Sequence, residues 1–163
     1  MNKIPLLLFL LLAAFFAVPL LEGKNPSEVP SALVGRPVPS FTLPPALKDR
    51  PGLSDTALLG APAVVNVFAS WCVTCQLEQG ILESIGETEG VPVYGFNYKD
   101  TPEKLILWLK KNGDPYDAIG ADAEGRAAID WGVTGVPETF IVDAAGVIRY
   151  RHTGAVTDDD YRR

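Results

Sequence analysis

Two cysteines, Cys72 and Cys75, carry the most specific chemical signal in this sequence of 163 residues. They are its only cysteines, they are separated by two residues, and Trp71 directly precedes them. A short β-branched run over residues 64–68 predicts a buried strand before the pair, and a helical pattern follows it. The start of a helix stabilises a thiolate through unpaired backbone N–H groups and the helix dipole. We therefore expect Cys72 to be a nucleophile and Cys75 to attack a mixed disulfide formed on Cys72.

Three other interpretations of the cysteine pair remain open. A structural disulfide usually joins distant segments, because closing a short loop removes little entropy from the unfolded chain. A closed zinc site needs four ligands, and the only histidine, His152, would add just one to the pair. The two thiols can also be unrelated core residues. We predict no metal site and no cofactor beyond a redox-active Cys72–Cys75 disulfide, and we expect His152 to be a surface residue at a strand end.

The elements that would position the cysteines alternate between strand and helix. Alternating or buried β-branched runs predict strands over residues 64–68, 91–96, 138–142 and 147–152. Apolar residues at helical spacing predict helices over residues 75–85, 101–112 and 123–131. This order is typical of an α/β sandwich with a mixed sheet.

Capping residues and apolar positions further define the predicted ends and faces of these helices. Thr101 and Pro102 are residues favoured at the start of a helix, and Asp122 can cap the next one. In the first helix, four apolar residues fall on one face, which we expect to be buried: Leu77, Ile81, Leu82 and Ile85.

The N-terminal region is strongly apolar. Residues 4–21 comprise sixteen apolar residues and two prolines and carry no charge, which is close to the length that spans a bilayer. We predict a membrane anchor over residues 1–22, a linker over 23–40 and one domain over 41–163. Lys3 precedes the apolar run, so the domain would lie on the periplasmic side of the inner membrane. A cleaved signal peptide is the alternative.

Residues 66–75 resemble the active-site segment of the thioredoxin superfamily, and most closely its CcmG/DsbE branch, the thiol–disulfide oxidoreductases of cytochrome c maturation. Three further segments resemble that branch: residues 94–100 its central insertion, 135–140 its cis-proline segment and 35–41 the beginning of its fold. The resemblance implies a thioredoxin-like α/β fold with a central mixed sheet flanked by helices.

The same resemblance implies roles for the residues around the cysteines. Pro137 would be cis and face the disulfide, so that the backbone of Val136 pairs with an extended substrate peptide. Trp71 would shield Cys72 and contact partners. The alternatives are an ordinary proline at a strand start and a tryptophan of the core.

Two acidic residues, Glu78 and Glu138, match positions that the family places in the groove beside the thiols. A carboxylate there can change the proton affinity of the cysteines or move a proton during exchange. The alternative for each is a solvated surface glutamate. Asn66 stands where thioredoxins carry a buried Asp, which would shift proton transfer to Glu78 and Glu138.

The function implied by the resemblance is reduction of apocytochrome c or of cytochrome c maturation proteins, with re-reduction by a membrane electron carrier of the DsbD/CcdA type. A binding module of that machinery and a general envelope reductase are the alternatives. The net charge of −6 argues against nucleic acid as a partner, and we expect a monomer. We also expect the last helix of the fold to be truncated, with Thr157 as its cap.

Overall fold

The cysteine pair follows the central strand of a five-stranded mixed sheet. The computed structural model describes residues 32–162, together with Ile4, residues 8–9 and residues 11–13. Seven strands are described: β1 Thr42–Leu43, β2 Leu53–Ser54, β3 Ala63–Phe68, β4 Val93–Tyr98, β5 Ala118–Asp122, β6 Glu138–Val142 and β7 Ile148–Thr153. Residues 32–162 also contain four α-helices: α1 Gln79–Glu89, α2 Pro102–Asn112, α3 Arg126–Asp130 and α4 Asp158–Tyr161.

The large sheet has the order β5-β4-β3-β6-β7. Strand β3 runs parallel to β4 and antiparallel to β6, and β6 and β7 form the predicted hairpin. Strands β1 and β2 form a separate antiparallel pair. The expected thioredoxin-like α/β fold with a mixed central sheet is therefore confirmed.

Both faces of β3 are covered, which is why its sequence is nearly continuously apolar. All six of its residues are buried. Val65 and Val67 belong to one core cluster, which includes Trp131. Val64 and Phe68 belong to a second cluster on the other face. The end of β3, from which the cysteines follow, is thus fixed by packing on two sides.

The first predicted helix begins differently from its sequence pattern. A 3₁₀ turn covers Thr74–Leu77, and the α-helix starts only at Gln79. A 3₁₀ turn winds three residues per turn, so the helical spacing does not continue through it. As a result, Leu82 is fully buried but the side chain of Leu77 is 69 % exposed, and the prediction that Leu77 lies on the buried face is wrong.

Strand β5 was not among the predicted strands. Its sequence contains one strongly strand-favouring residue, Ile119, and a central glycine, Gly120. The structure shows why glycine is required there: a Cβ atom on Gly120 would lie 2.6 Å from Cβ of Leu43. Because β1 packs so closely against position 120, that position must be glycine, and the sequence therefore lacks a strand-favouring side chain there.

The predicted helix ends are largely observed. Thr101 occupies the N-cap of α2 and Pro102 its first position, although the Thr101 side chain makes no capping hydrogen bond. The Asp122 carboxylate accepts from the backbone N–H groups of Ala127 and Ala128 in the first turn of α3. The N-cap of α3 is Gly125, however, so the helix starts three residues later than predicted. At α4, Thr157 and Asp160 form a reciprocal capping box.

The prediction of a single-pass inner-membrane anchor is corrected by the structure. Crossing the hydrocarbon core takes about 20 residues of continuous apolar helix. Among residues 4, 8–9, 11–13 and 32–162, no helix is long and apolar enough to do so. The helical residues described in the apolar run are Ile4, residues 8–9 and residues 11–13. The rest of the predicted anchor lies outside the described residues.

Candidate active site

The cysteine pair forms a disulfide between the end of β3 and the start of α1. The Cα atoms of Cys72 and Cys75 are 5.4 Å apart. Cys75 is fully buried and Cys72 is nearly so. The backbone N–H of Cys75 donates to Sγ of Cys72 at 3.1 Å, so an N–H group of the first turn does face Cys72, as the sequence predicts. Two unrelated thiols are therefore excluded.

A groove of about 220 Å³ reaches the loop between the two cysteines. Its lining includes Thr74, which lies between the two cysteines, together with Val136 and Pro137 on one wall and Gly154 and Ala155 on another. The Val136–Pro137 peptide bond is cis, as the resemblance implies. Within the described residues, the backbone N–H and C=O of Val136 take part in no hydrogen bond. They are thus available to an extended peptide laid in the groove.

Glu78 lies in the interior and not on the helix surface. Its side chain is fully buried. One carboxylate oxygen accepts from Nδ2 of Asn66 at 2.8 Å, and the other accepts from the backbone N–H of Val156 at 2.9 Å. Burial raises the pKa of Glu78 to about 7, against the opposing effect of these two hydrogen bonds. Glu78 can therefore take up and release a proton near neutral pH.

Asn66 connects Glu78 to a buried polar network. Its Nδ2 also donates to Oγ1 of Thr139, and its Oδ1 accepts from the Tyr116 hydroxyl. Nε2 of Gln79 donates in turn to that hydroxyl and to the carbonyl of Cys75. The network thus connects the backbone of the second cysteine to the acid.

Sequence reasoning missed Tyr116 and Gln79 as members of this network. The only signal available was Asn66 itself, since a polar residue in an otherwise apolar buried strand must find hydrogen-bond partners. That signal does not identify partners fifty residues away along the chain.

Glu138 is also buried, but its carboxylate is saturated. It receives two hydrogen bonds from the Arg151 guanidinium, at 2.8 and 2.9 Å. Three more come from the Thr134 backbone N–H, the Thr134 hydroxyl and the Gly135 backbone N–H. The alternative interpretation of Glu138 as a solvated surface residue is wrong, because its side chain is buried. Through its hydrogen bonds to Thr134 and Gly135, Glu138 holds the segment that leads into Pro137. Sequence reasoning also missed Arg151, whose side chain is nearly buried.

Trp71 is a surface residue beside Cys72 and not part of the core. Its side chain is 53 % exposed, and its indole N–H donates to the carbonyl of Lys99 at 3.1 Å. Val73 and Leu77 are exposed nearby along the same segment. The disulfide is therefore bordered by an apolar surface suited to a polypeptide partner.

A model of the AhpC/TSA family matches residues 34–151. The chain belongs to the AhpC/TSA family. It is 44 % identical over 155 residues to the thiol:disulfide interchange protein DsbE of Allochromatium vinosum, covering 94 % of this chain and 83 % of the relative. To DsbE of Escherichia coli K12 it is 43 % identical over 157 residues, covering 93 % and 83 %.

The structural comparison agrees with the sequence comparison. The solved structure of MTB dsbF in its mixed oxidized and reduced forms matches with a TM-score of 0.66 and 25 % identity, covering 74 % of this chain and 89 % of the other. Together with the disulfide of Cys72 and Cys75, these similarities make the chain a DsbE-like thiol:disulfide interchange protein and a protein disulfide oxidoreductase.

Proposed function

We propose that this oxidoreductase reduces disulfides in apocytochrome c or in proteins of cytochrome c maturation. The observation that carries the proposal is the groove whose lining includes both Thr74, between the two cysteines, and the cis Val136–Pro137 segment. An extended peptide can pair with the backbone of Val136 there and present its own disulfide to Cys72. The similarity of this chain to DsbE proteins supports the proposal.

Cys72 is the attacking nucleophile in this proposal. Its thiolate attacks one sulfur of the partner's disulfide, a bond forms between the two sulfurs, and the partner's other sulfur leaves as a thiolate that takes up a proton. Cys75 then loses its proton and attacks Sγ of Cys72. The partner's first sulfur leaves as the second thiolate, two electrons have passed to the partner, and the protein is left with the Cys72–Cys75 disulfide.

Glu78 accepts the Cys75 proton in this scheme. It follows Cys75 by one turn, and a pKa of about 7 allows it to accept and release protons at neutral pH. Asn66, which occupies the position of the buried Asp of thioredoxins, donates to Glu78 and cannot itself act as a base. Glu138, paired with Arg151, positions the groove wall instead.

The electrons return from a reduced partner. We propose a membrane electron carrier of the DsbD/CcdA type, whose dithiol reduces the Cys72–Cys75 disulfide by the same two steps in reverse. The exposed surface of Trp71 and Val73 would contact both partners in turn, because each must reach the same nearly buried Cys72.

Kinetics with two substrates test this function. The reduced protein is mixed with a disulfide-bonded Cys-X-X-Cys-His peptide or with insulin, and the second-order rate constants are compared. We expect the peptide to react at least about tenfold faster, a preference of about 1.4 kcal/mol in transition-state binding. Equal rates would support a general thioredoxin-like reductase instead. A Cys72→Ala/Cys75→Ala variant that still supports cytochrome maturation in cells would favour a binding module.

The reduction potential tests the direction of electron flow. We expect a value closer to the roughly −270 mV of thioredoxin than to the roughly −120 mV of DsbA. It is measured by equilibrating the protein with glutathione buffers. A potential as oxidising as that of DsbA would contradict a reducing role.

A further inference from the structure

The segment Tyr98, Lys99 and Asp100 lies beside the redox loop, yet none of the chemical steps above uses it. Lys99 adopts a left-handed backbone conformation with φ of 47°, which residues other than glycine rarely adopt unless their surroundings hold them there. Its backbone N–H donates to the carbonyl of Asp122 at 3.0 Å, and its carbonyl accepts from the Trp71 indole. The turn is therefore held on one side by β5 and attached on the other to the redox loop.

Asp100 makes the stronger connection to that loop. One carboxylate oxygen accepts from the backbone N–H of Ser70 at 2.6 Å and from Nδ2 of Asn97 at 3.0 Å. The other accepts from the Ser70 hydroxyl at 2.7 Å and from the backbone N–H of Thr101 at 2.8 Å. Partial burial acts to raise the pKa of Asp100, but these hydrogen bonds outweigh it and leave the pKa below its usual value.

Ser70, which donates both of these hydrogen bonds to Asp100, lies two residues before Cys72. Between them stands Trp71, which is attached to the same turn through Lys99. The backbone N–H of Cys72 donates to the carbonyl of Ala69 at 3.1 Å, which closes a tight turn around Ser70 and Trp71. Ser70 and Trp71 therefore lie in one tight turn, and a shift of Ser70 displaces the Trp71 side chain beside Cys72.

We propose that Asp100 is a positioning residue for thiol–disulfide exchange: by holding Ser70, it fixes Trp71 against the surface on which a polypeptide partner meets Cys72. Asp100 does not touch the reacting sulfurs. Its effect falls on the docking of a partner and not on the chemistry of the thiols. The inference rests only on disulfide exchange and is independent of which protein is the physiological substrate.

Asp100→Asn is the central test variant, because the amide nitrogen cannot accept the hydrogen bonds that one carboxylate oxygen accepts. The reduced protein is reacted with insulin and with the small reagent 5,5′-dithiobis(2-nitrobenzoic acid). We expect the rate constant for insulin to fall about tenfold and that for the small reagent to fall less than about threefold, since misplacement penalises docking of the larger partner.

Asp143→Asn is the matched control. Asp143 also accepts hydrogen bonds within a turn, from the backbone N–H groups of Ala145 and Val147 and from Nε of Arg149, and its pKa is likewise lowered. It lies between β6 and β7, at the end of the sheet opposite the cysteines. Both variants are assayed well below their urea midpoints. If Asp143→Asn slows the insulin reaction as much as Asp100→Asn does, the effect is one of general stability and the proposal is overturned.

A double-mutant cycle with Trp71→Phe identifies the path of the effect. If Asp100 acts through Trp71, adding Asp100→Asn to Trp71→Phe should change the insulin rate less than about twofold, because the two residues act as a unit. Independent effects that multiply would contradict the proposal.

Ser70→Ala provides a second route if Asp100→Asn fails to fold. It removes only the hydroxyl hydrogen bond to Asp100. The variant should lower the rate constant for insulin more than that for the small reagent. Equal slowing of both would also count against the proposal.

Discussion

Glu78 and Glu138 are both buried carboxylates, yet their hydrogen-bond partners give them different capacities to accept a proton. Glu138 accepts five hydrogen bonds and is paired with the Arg151 guanidinium. Glu78 accepts hydrogen bonds from two neutral donors only, Asn66 and the backbone of Val156. Breaking the Glu138 pair would leave a buried charge without its partner. Of the two, Glu78 is therefore the suitable proton acceptor.

Glu78→Gln should slow the resolution of a mixed disulfide on Cys72. The amide cannot accept the Cys75 proton, so we expect attack by Cys75 to slow about 100-fold at pH 7, within the range of general-base catalysis. The wild-type rate should rise as Glu78 ionises through about pH 7, and the variant should lose this rise. Rapid-quench kinetics with mass detection measure both.

The control for this experiment is Glu87→Gln, which changes an exposed carboxylate on the same helix, α1. It should keep the wild-type rate and pH profile. A Glu78→Gln variant with an unchanged profile would show that another group accepts the proton.

At the scale of single residues, the sequence predicted the cysteine pair and the cis-proline but not the residues whose hydrogen bonds hold the site in place. The spacing of Cys72 and Cys75 predicted the disulfide, and the resemblance predicted the cis bond at Pro137. Tyr116 and Arg151 could not be found in the same way. Their roles depend on contacts between residues far apart in sequence, which local pattern does not encode.

At the scale of elements, helix α1 packs against the sheet through one face, on which Leu82 lies. Leu82 is fully buried in the cluster that also contains Cys75 and Phe68, whereas Leu77, five residues earlier, lies in the 3₁₀ turn and is exposed. Both leucines look equivalent in the sequence pattern. Only the change of helical winding at Gln79 separates them.

Leu82→Ala and Leu77→Ala form a matched pair that tests this packing. Removing the buried side chain should lower the free energy of unfolding by about 3 kcal/mol through lost burial and a residual cavity. Removing the exposed one should change it by less than about 0.5 kcal/mol. Urea denaturation measures both, and similar losses for the two variants would contradict the observed position of Leu77.

Most elements were predictable because their patterns were strong. The β6–β7 hairpin forms where its turn residues predict it, and α2 begins with Thr101 at its N-cap and Pro102 at its first position, as predicted. Strand β5 was missed because its packing requires a glycine at position 120. Tertiary contact there determines the structure against local propensity.

For the whole molecule, the buried Glu78 links stability to pH. In the unfolded chain its pKa is near the ordinary 4.5, and in the folded protein it is about 7. Below pH 4.5 the carboxyl is protonated in both states, and its contribution to stability is fully present. Between about pH 4.5 and 7 only the unfolded chain loses the proton, so stability falls as the pH rises.

Comparing the unfolding free energies of wild type and Glu78→Gln across pH isolates this effect. From pH 4.5 to 7.5, wild type should lose on the order of 3 kcal/mol relative to the variant, the energy equivalent of the difference between the two pKa values. Glu87→Gln should run parallel to wild type. A difference between wild type and Glu78→Gln that stays constant with pH would mean that Glu78 ionises normally in the folded protein.

The proposed roles of the two cysteines are tested most directly by trapping a mixed disulfide on single-cysteine variants. Reduced Cys75→Ala and Cys72→Ala variants are each mixed with a disulfide-bonded peptide, and the adducts are measured by intact mass. Under the proposed mechanism Cys72 attacks and Cys75 resolves, so we predict that Cys75→Ala accumulates a stable one-to-one mixed disulfide and that Cys72→Ala forms none. An adduct on Cys72→Ala, or its absence on Cys75→Ala, would contradict the mechanism.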